Sequence, residues 1–353
     1  MASKINPHFS EELKKYGSVN FNACYNCGNC TAVCSLSTPE ASFPREMVRL
    51  SALGLEEELK QSLKPWECYY CGECTTQCPQ TANPGELMMS LRRWLTAKYD
   101  WTGLSGLLYR SLSLTITALL LVAAGVFFFA RSTGFDAATL LHWGHLFEMM
   151  AIATVFLVIF VPNLLRMWYF SIVKNGVKAP LKSYITALSE LFVQMFTQKR
   201  AKDCDEEDNF RWLEHLVLVF AYLSLLFTTV FLNWFGTENL FIILLGYLES
   251  FLVFVITIHF VSGRIKRNKA LNKFSQPSDW LFVIWLLLMG LTAFMVRLFI
   301  DLQLLETNIW IHLIHLTVLA QWALIIVPFG KWTHFLYRSF GLYFARIKAM
   351  QES

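Results

Sequence analysis

Charged residues are scarce in this chain of 353, at 16% against about 25% in an average soluble domain. With 55% hydrophobic residues and a mean hydropathy of +0.42, that scarcity excludes an ordinary soluble globular enzyme. A G-x-G-x-x-G fingerprint is also missing, so any flavin or dinucleotide is expected on a partner. No two cysteines are adjacent, which excludes the doubled-cysteine signature of noncubane iron–sulfur centres. The balance of 30 Lys+Arg against 26 Asp+Glu leaves +4, too mild an excess for a nucleic-acid partner. The N-terminal MASKINPHFSEELKKYG lacks the apolar core of a secretory signal, so the polar first part is expected to stay cytoplasmic.

What the chain does have is divided unevenly. Eight of the nine cysteines fall in the polar stretch 1–100, and long apolar runs fill 101–353. A transmembrane helix needs about 20 mainly apolar residues. Six segments qualify: 111–130, 142–164, 213–232, 240–261, 279–300 and 309–329. With the N-terminus inside, the inner loops collect Arg166, Lys174, Lys178, Arg264, Lys266, Arg267 and their neighbours, and the outer loops hold only Arg131. The positive-inside rule thus gives the same orientation as the missing signal, with the C-terminus also cytoplasmic in a multi-pass inner-membrane protein. In the long inner loop, Tyr184, Leu188, Leu191, Phe192 and Met195 recur at helical spacing, which predicts a helix along the membrane surface. The acidic turn Asp203 to Asp208 that follows reads as solvated, and Cys204 within it has no assigned role.

The first cysteine run is Cys24, Cys27, Cys30, Cys34 and the second Cys68, Cys71, Cys74, Cys78, both C-x2-C-x2-C-x3-C. A cubane cluster takes three thiolates from one tight loop and a fourth from farther away, and in two-cluster ferredoxins the fourth cysteine serves the other cluster. Carried over, Cys24, Cys27, Cys30 and Cys78 hold one [4Fe–4S] cluster, and Cys68, Cys71, Cys74 and Cys34 hold the second. Gly28 and Gly72 would let backbone N–H groups approach the sulfides. Four cysteines in so short a run crowd a tetrahedral zinc ion, and a reducing compartment disfavours disulfides. The first run has Ser35 where the second has Pro79. Between the runs, PREMVRLSALGLEEELKQSL reads as two short helices around Gly54. The fold class is therefore all-α: a helical two-cluster ferredoxin domain, then a six-helix transmembrane bundle.

Of eight histidines, all but His8 lie in or at the ends of apolar helices, where an imidazole is expensive and usually functional. His142, His145, His312 and His315 sit at the predicted outer face, and His215, His259 and His334 at the inner. This distribution suits two stacked b haems, each held by two imidazoles. His315 and His334 are 19 residues apart, roughly 28 Å along a helix, so one helix is expected to serve both haems. The sixth span, HLTVLAQWALIIVPFGKWTH, resembles the last helix of nitrate reductase gamma subunits. The third, RWLEHLVLVFAYLSLLFTT, resembles the helix facing it. That resemblance implies His215 and His334 for the inner haem. It also puts a second histidine where this chain has Leu225 and Leu226, so the outer haem is assigned to His145 and His315, with His142 and His312 as alternatives.

As a whole, an HdrC-like two-cluster module ahead of an HdrE-like cytochrome b resembles the membrane subunits of quinone-interacting membrane-bound oxidoreductases, the Qmo family. The resemblance implies electron exchange between menaquinol or menaquinone and HdrA-like flavin/iron–sulfur subunits (the QmoA and QmoB type). APS reductase is then the soluble redox partner in dissimilatory sulfur metabolism. Quinone-site candidates are His259 with Arg264 on the inner side, or His142 with Glu148 on the outer. Two other readings fit the same residues. One is a membrane electron donor to a heterodisulfide-reductase-like or sulfite-pathway complex, which the missing doubled cysteine counts against. The other is a non-catalytic membrane anchor or redox sensor.

Overall fold

The computed structural model describes residues 4–39, 41–199, 209–231, 239–267 and 270–352. It is 77% helical, with no strand among the described residues. Short helices build the first part. Arg45–Ala52 and Glu56–Gln61 flank Gly54 as expected. Gly54 has a φ of +69°, and an added Cβ would lie 2.1 Å from the carbonyl oxygen of Asn6, so only glycine fits there. The longer helix Pro84–Tyr99 then leads through Asp100 and Trp101 into the apolar half.

Among the described residues, six helices are long and apolar enough to cross a membrane: Leu112–Ser132, Ala137–Val173, Phe210–Val230, Leu240–Lys266, Pro277–Asp301 and Ile309–Phe329. Side chains such as Leu120, Leu121, Phe128, Met150 and Leu157 face outward along them. In water that surface would be costly, and in a bilayer lipid covers it. Inward, Leu119, Leu218, Ala221, Val253, Leu286, Met289, Val318 and Trp322 form a core shared by five spans. The second span joins at the far side through Leu140, which packs with Ala130 and Leu313. Cys204, the acidic turn around it and most of the loop at 233–239, expected to be an outer one, lie outside the described residues.

Two spans differ from the expectation. The second is continuous for 37 residues, well past 164. Its π-turns at Val155–Phe160 lie just ahead of Pro162, and turns at Trp322–Ile326 likewise precede Pro328 in the sixth. A wider turn absorbs the clash between a proline ring and the carbonyl four residues back. The sixth span does not run on to His334, which corrects the single-helix expectation. Pro328 cannot continue the hydrogen-bond ladder. At Gly330 the backbone is extended, and a Cβ would meet the Ile326 carbonyl oxygen at 2.5 Å. A new helix, His334–Glu352, starts at the histidine and lies against the ferredoxin part.

That C-terminal helix and the ferredoxin helices share one core. Trp66, Trp94 and Tyr99 pack with Met167, Ile172, Tyr337, Phe344 and Ile347, all nearly or fully buried. The Trp66 ring lies 5.4 Å from that of Tyr337, tilted by 49°, and Gly341 admits the Trp66 Cβ where a side chain would collide at 2.8 Å. Each large side chain buried this way contributes about 1.5–3 kcal/mol. The helix Leu181–Thr197 adds Ala187 and Leu191 to this core and leaves Leu181, Ile185, Leu188, Phe192 and Phe196 exposed in a stripe at helical spacing.

Candidate redox centres

The two cysteine runs fold as copies of one loop. Each has a residue at positive φ after its first cysteine (Asn26, 65°; Tyr70, 59°), then a glycine (Gly28, 93°; Gly72, 95°) that opens a one-turn helix. The first thiol of each accepts a backbone N–H, from Asn26 at 3.4 Å and from Tyr70 at 3.3 Å. Asparagine adopts a left-handed backbone readily and tyrosine does not. The Tyr70 hydroxyl is held by a short hydrogen bond to Glu86.

The runs interleave. Cys30 lies within electrostatic reach of Cys24, Cys27 and Cys78, and Cys34 within reach of Cys68 and Cys71. Cys34, Cys68, Cys71 and Cys74 line one cavity of about 70 Å³ with Gly72 and Gly85. The wall is tight at Gly85, where a Cβ would sit 2.9 Å from Thr75 Oγ1, with the Cys74 Sγ in ordinary contact at 3.7 Å. Among the described residues, no three His, Cys, Asp or Glu side chains converge as a single metal ion would require. The two interleaved sets of four thiols suit cubane clusters, whose corners stand farther apart than the ligands of one ion. Burial pushes the thiols of Cys30, Cys34, Cys68 and Cys74 up, so taking up iron must release their protons.

The second cage faces the membrane helices. Arg92 donates to the Pro65 carbonyl at 2.7 Å and to that of Cys68, and burial pushes its guanidinium down to about 10, still charged at neutral pH. Arg338, four residues after His334, lies 5.5 Å over the Tyr69 ring. Beside them is a buried ion cluster the sequence did not reveal. Arg93 donates to Asp279 at 2.8 Å and to the Tyr16 carbonyl at 3.0 Å, and lies 3.7 Å from Glu86. Lys331 pairs with the other oxygen of Asp279 at 2.7 Å. The chain Tyr70, Glu86, Arg93, Asp279, Lys331 thus links the second cysteine loop to the residue whose carbonyl accepts the His334 ring N–H.

A haem-ligating imidazole needs its Nε2 free and its Nδ1–H engaged. Three predicted ligands have Nδ1 engaged in this way. His334 Nδ1 donates to the Lys331 carbonyl at 2.5 Å, and His215 Nδ1 pairs with Gln198 Oε1 at 2.6 Å. His315 Nδ1 lies 2.8 Å from Thr292 Oγ1, whose own proton goes to the Leu288 carbonyl at 2.7 Å, so the histidine donates. His215 and His334 lie within electrostatic reach of each other on the ferredoxin side, and Phe282 stands edge-on 6.2 Å from His334. On the far side, a Cβ added at Gly144 would lie 2.7 Å from the Leu316 side chain, so glycine lets the second span pack this closely on the sixth. His312, 4% exposed, faces Leu140 with neither ring nitrogen in a well-formed hydrogen bond, and His142 is exposed beside Trp143.

On the inner side, the quinone-site candidates His259 and Arg264 have different partners. His259 is 58% exposed and its Nδ1 lies 2.5 Å from Glu214. Arg264 reaches instead toward Asp279 and Tyr70, with Nη1 on the Phe260 carbonyl at 3.4 Å. Glu148 lies within electrostatic reach of Tyr222, whose hydroxyl accepts from Trp322 at 3.0 Å.

Residues 23–83 match the family model described as a 4Fe–4S dicluster domain. No curated protein and no solved structure matches the chain. A dicluster ferredoxin domain ahead of six membrane-length helices makes this a membrane electron-transfer subunit with iron–sulfur centres.

Proposed function

We propose that this chain is the membrane subunit of a quinone-linked redox complex of the quinone-interacting membrane-bound oxidoreductase type. In this reading it exchanges electrons between menaquinol or menaquinone and soluble HdrA-like flavin/iron–sulfur subunits, with APS reductase as their redox partner. Two [4Fe–4S] clusters and two b haems supply the one-electron chemistry when bound. The chain's own residues fix and tune them. Cys24, Cys27, Cys30 and Cys78 provide one donor set, and Cys68, Cys71, Cys74 and Cys34 the other. Gln198 and Lys331 set the tautomers of His215 and His334, and Thr292 sets that of His315. Arg92 brings positive charge to the Cys68 end of the second cage, where it offsets thiolate charge.

The observation that carries the reading is the contact of Arg338 with Tyr69, which puts the second cysteine cage against the helix that begins with His334. In this reading the inner haem site neighbours the second cluster site, as electron transfer through the chain requires. Optical and electron paramagnetic resonance spectra of the purified protein test it. The unaltered chain should carry bis-histidine b haem, and His215→Ala and His334→Ala should each lose the same haem and keep the other. Unchanged haem content in both variants would defeat the inner-haem assignment, and a protein without haem would leave the anchor or sensor reading.

A further inference from the structure

The two cysteine loops share a backbone trace but not their surroundings. The loop of Cys68 to Cys78 is roofed by Arg92, Glu86 and Arg338, and its Cys68 and Cys74 are buried. The loop of Cys24 to Cys34 opens outward. Cys27 is exposed, Tyr25 is 58% exposed and Val33 42%. The sequence around this opening carries no charge: from Tyr16 to Pro39, and again from Cys74 to Gly85, there is no Asp, Glu, Lys or Arg. Arg45 does reach Gly28, but it is half-buried and bonded to the Ser42 hydroxyl at 3.2 Å.

Charge on a docking face steers diffusional encounter and raises the on-rate. A face without it is poorly suited to a carrier that comes and goes. Interface cores that stay covered are depleted of charge, and here Tyr25 and Val33 stand exposed among uncharged amides. We infer that the face formed by Tyr25, Asn26, Cys27, Asn29 and Val33 is the electron port of the ferredoxin part and the seat of a permanently bound redox subunit, an iron–sulfur or flavin protein. The inference rests on the two-cluster reading above. An electron lost by the cluster at Cys24, Cys27, Cys30 and Cys78 is gained by the subunit's own centre, one for one and with no atom transferred. The second cluster, enclosed beside His334, stands on the membrane side of that exchange.

The test uses the complex extracted gently from membranes, with its soluble subunits attached. Between roughly 0.05 and 0.5 M salt, where screening removes most surface attraction, the soluble subunits should stay bound. Hydroxyl-radical footprinting should find Tyr25 protected in the complex and reactive in the isolated full-length chain. Val33→Glu, which would bury an unpaired carboxylate, should weaken subunit retention roughly tenfold or more with both cluster signals intact, and Val33→Thr should retain the subunits. Release of the subunits by salt, a Tyr25 equally reactive in both samples, or full retention by Val33→Glu would each overturn the port. Absence of cluster signals from the unaltered chain would overturn the two-cluster reading itself, so the two failures are distinguishable.

Discussion

Replacing Asp279 by asparagine should loosen the ferredoxin part from the membrane helices. Asp279 is 5% exposed and binds Arg93 at 2.8 Å, Lys331 at 2.7 Å and the backbone N–H of Gln276 at 3.0 Å. Asparagine keeps the shape and a hydrogen-bond acceptor but leaves two cations facing a neutral group. Removing one partner of a buried ion pair costs about 3–5 kcal/mol. The Lys331 side chain is 30% exposed, so water takes up part of its charge, and Glu86 at 3.7 Å still faces Arg93. The low end, ~3 kcal/mol, is the expected cost, and at 1.4 kcal/mol per tenfold it raises the population of the undocked form by roughly 100-fold. Hydrogen exchange of peptides covering the helix Pro84–Tyr99, measured in nanodiscs, reads that local opening directly. Exchange should accelerate by about that factor in Asp279→Asn and much less in Asp279→Glu. A change within about twofold, the scatter of an ordinary surface substitution, would refute the claim that this ion cluster holds the two parts together.

Two further outcomes follow from the same geometry. Cys78→Ser should perturb the resonance signal of the cluster built on Cys24, Cys27 and Cys30, and an effect confined to the other cluster would contradict the interleaved donor sets. The Glu57 carboxyl is held down to about 2 from its ordinary 4.5, first by its hydrogen bond to Lys174 and then by Lys60 at 2.7 Å. Because the folded value is the lower one, its stabilisation is fully present above 4.5 and lost as pH falls toward 2. Acid unfolding of Glu57→Gln should therefore show a shallower slope across that window than the parent, and equal slopes would mean the contact contributes nothing.

The sequence made legible whatever is local or periodic. Six runs of some 20 apolar residues announce six spans because a bilayer leaves a backbone few alternatives. The paired cysteine runs announce their chemistry because their spacing is that of a cubane's ligands. The break at Gly330 was less legible. Pro328 and Gly330 were visible, but whether a helix bends or stops there depends on the extended backbone that Gly330 adopts, which residue type alone does not give. The ion cluster was not legible at all, since Arg93 and Asp279 are 186 residues apart and each alone reads as an interfacial charge. Gln198, Thr292 and the Lys331 carbonyl, which orient the histidines, are likewise ordinary residues until the fold brings an imidazole to them. Sequence could place histidines at one face or the other of the membrane, but not say which ring nitrogen would be engaged.

The central claim is that quinol in the membrane and iron–sulfur centres outside it are joined through this one chain. Adding a menaquinol analogue anaerobically to the gently purified complex, and following haem absorbance with and without a quinone-site inhibitor, tests it most directly. Rapid haem reduction that the inhibitor blocks is the predicted result. Haem that stays oxidised with quinol in excess, or reduction indifferent to the inhibitor, would contradict it.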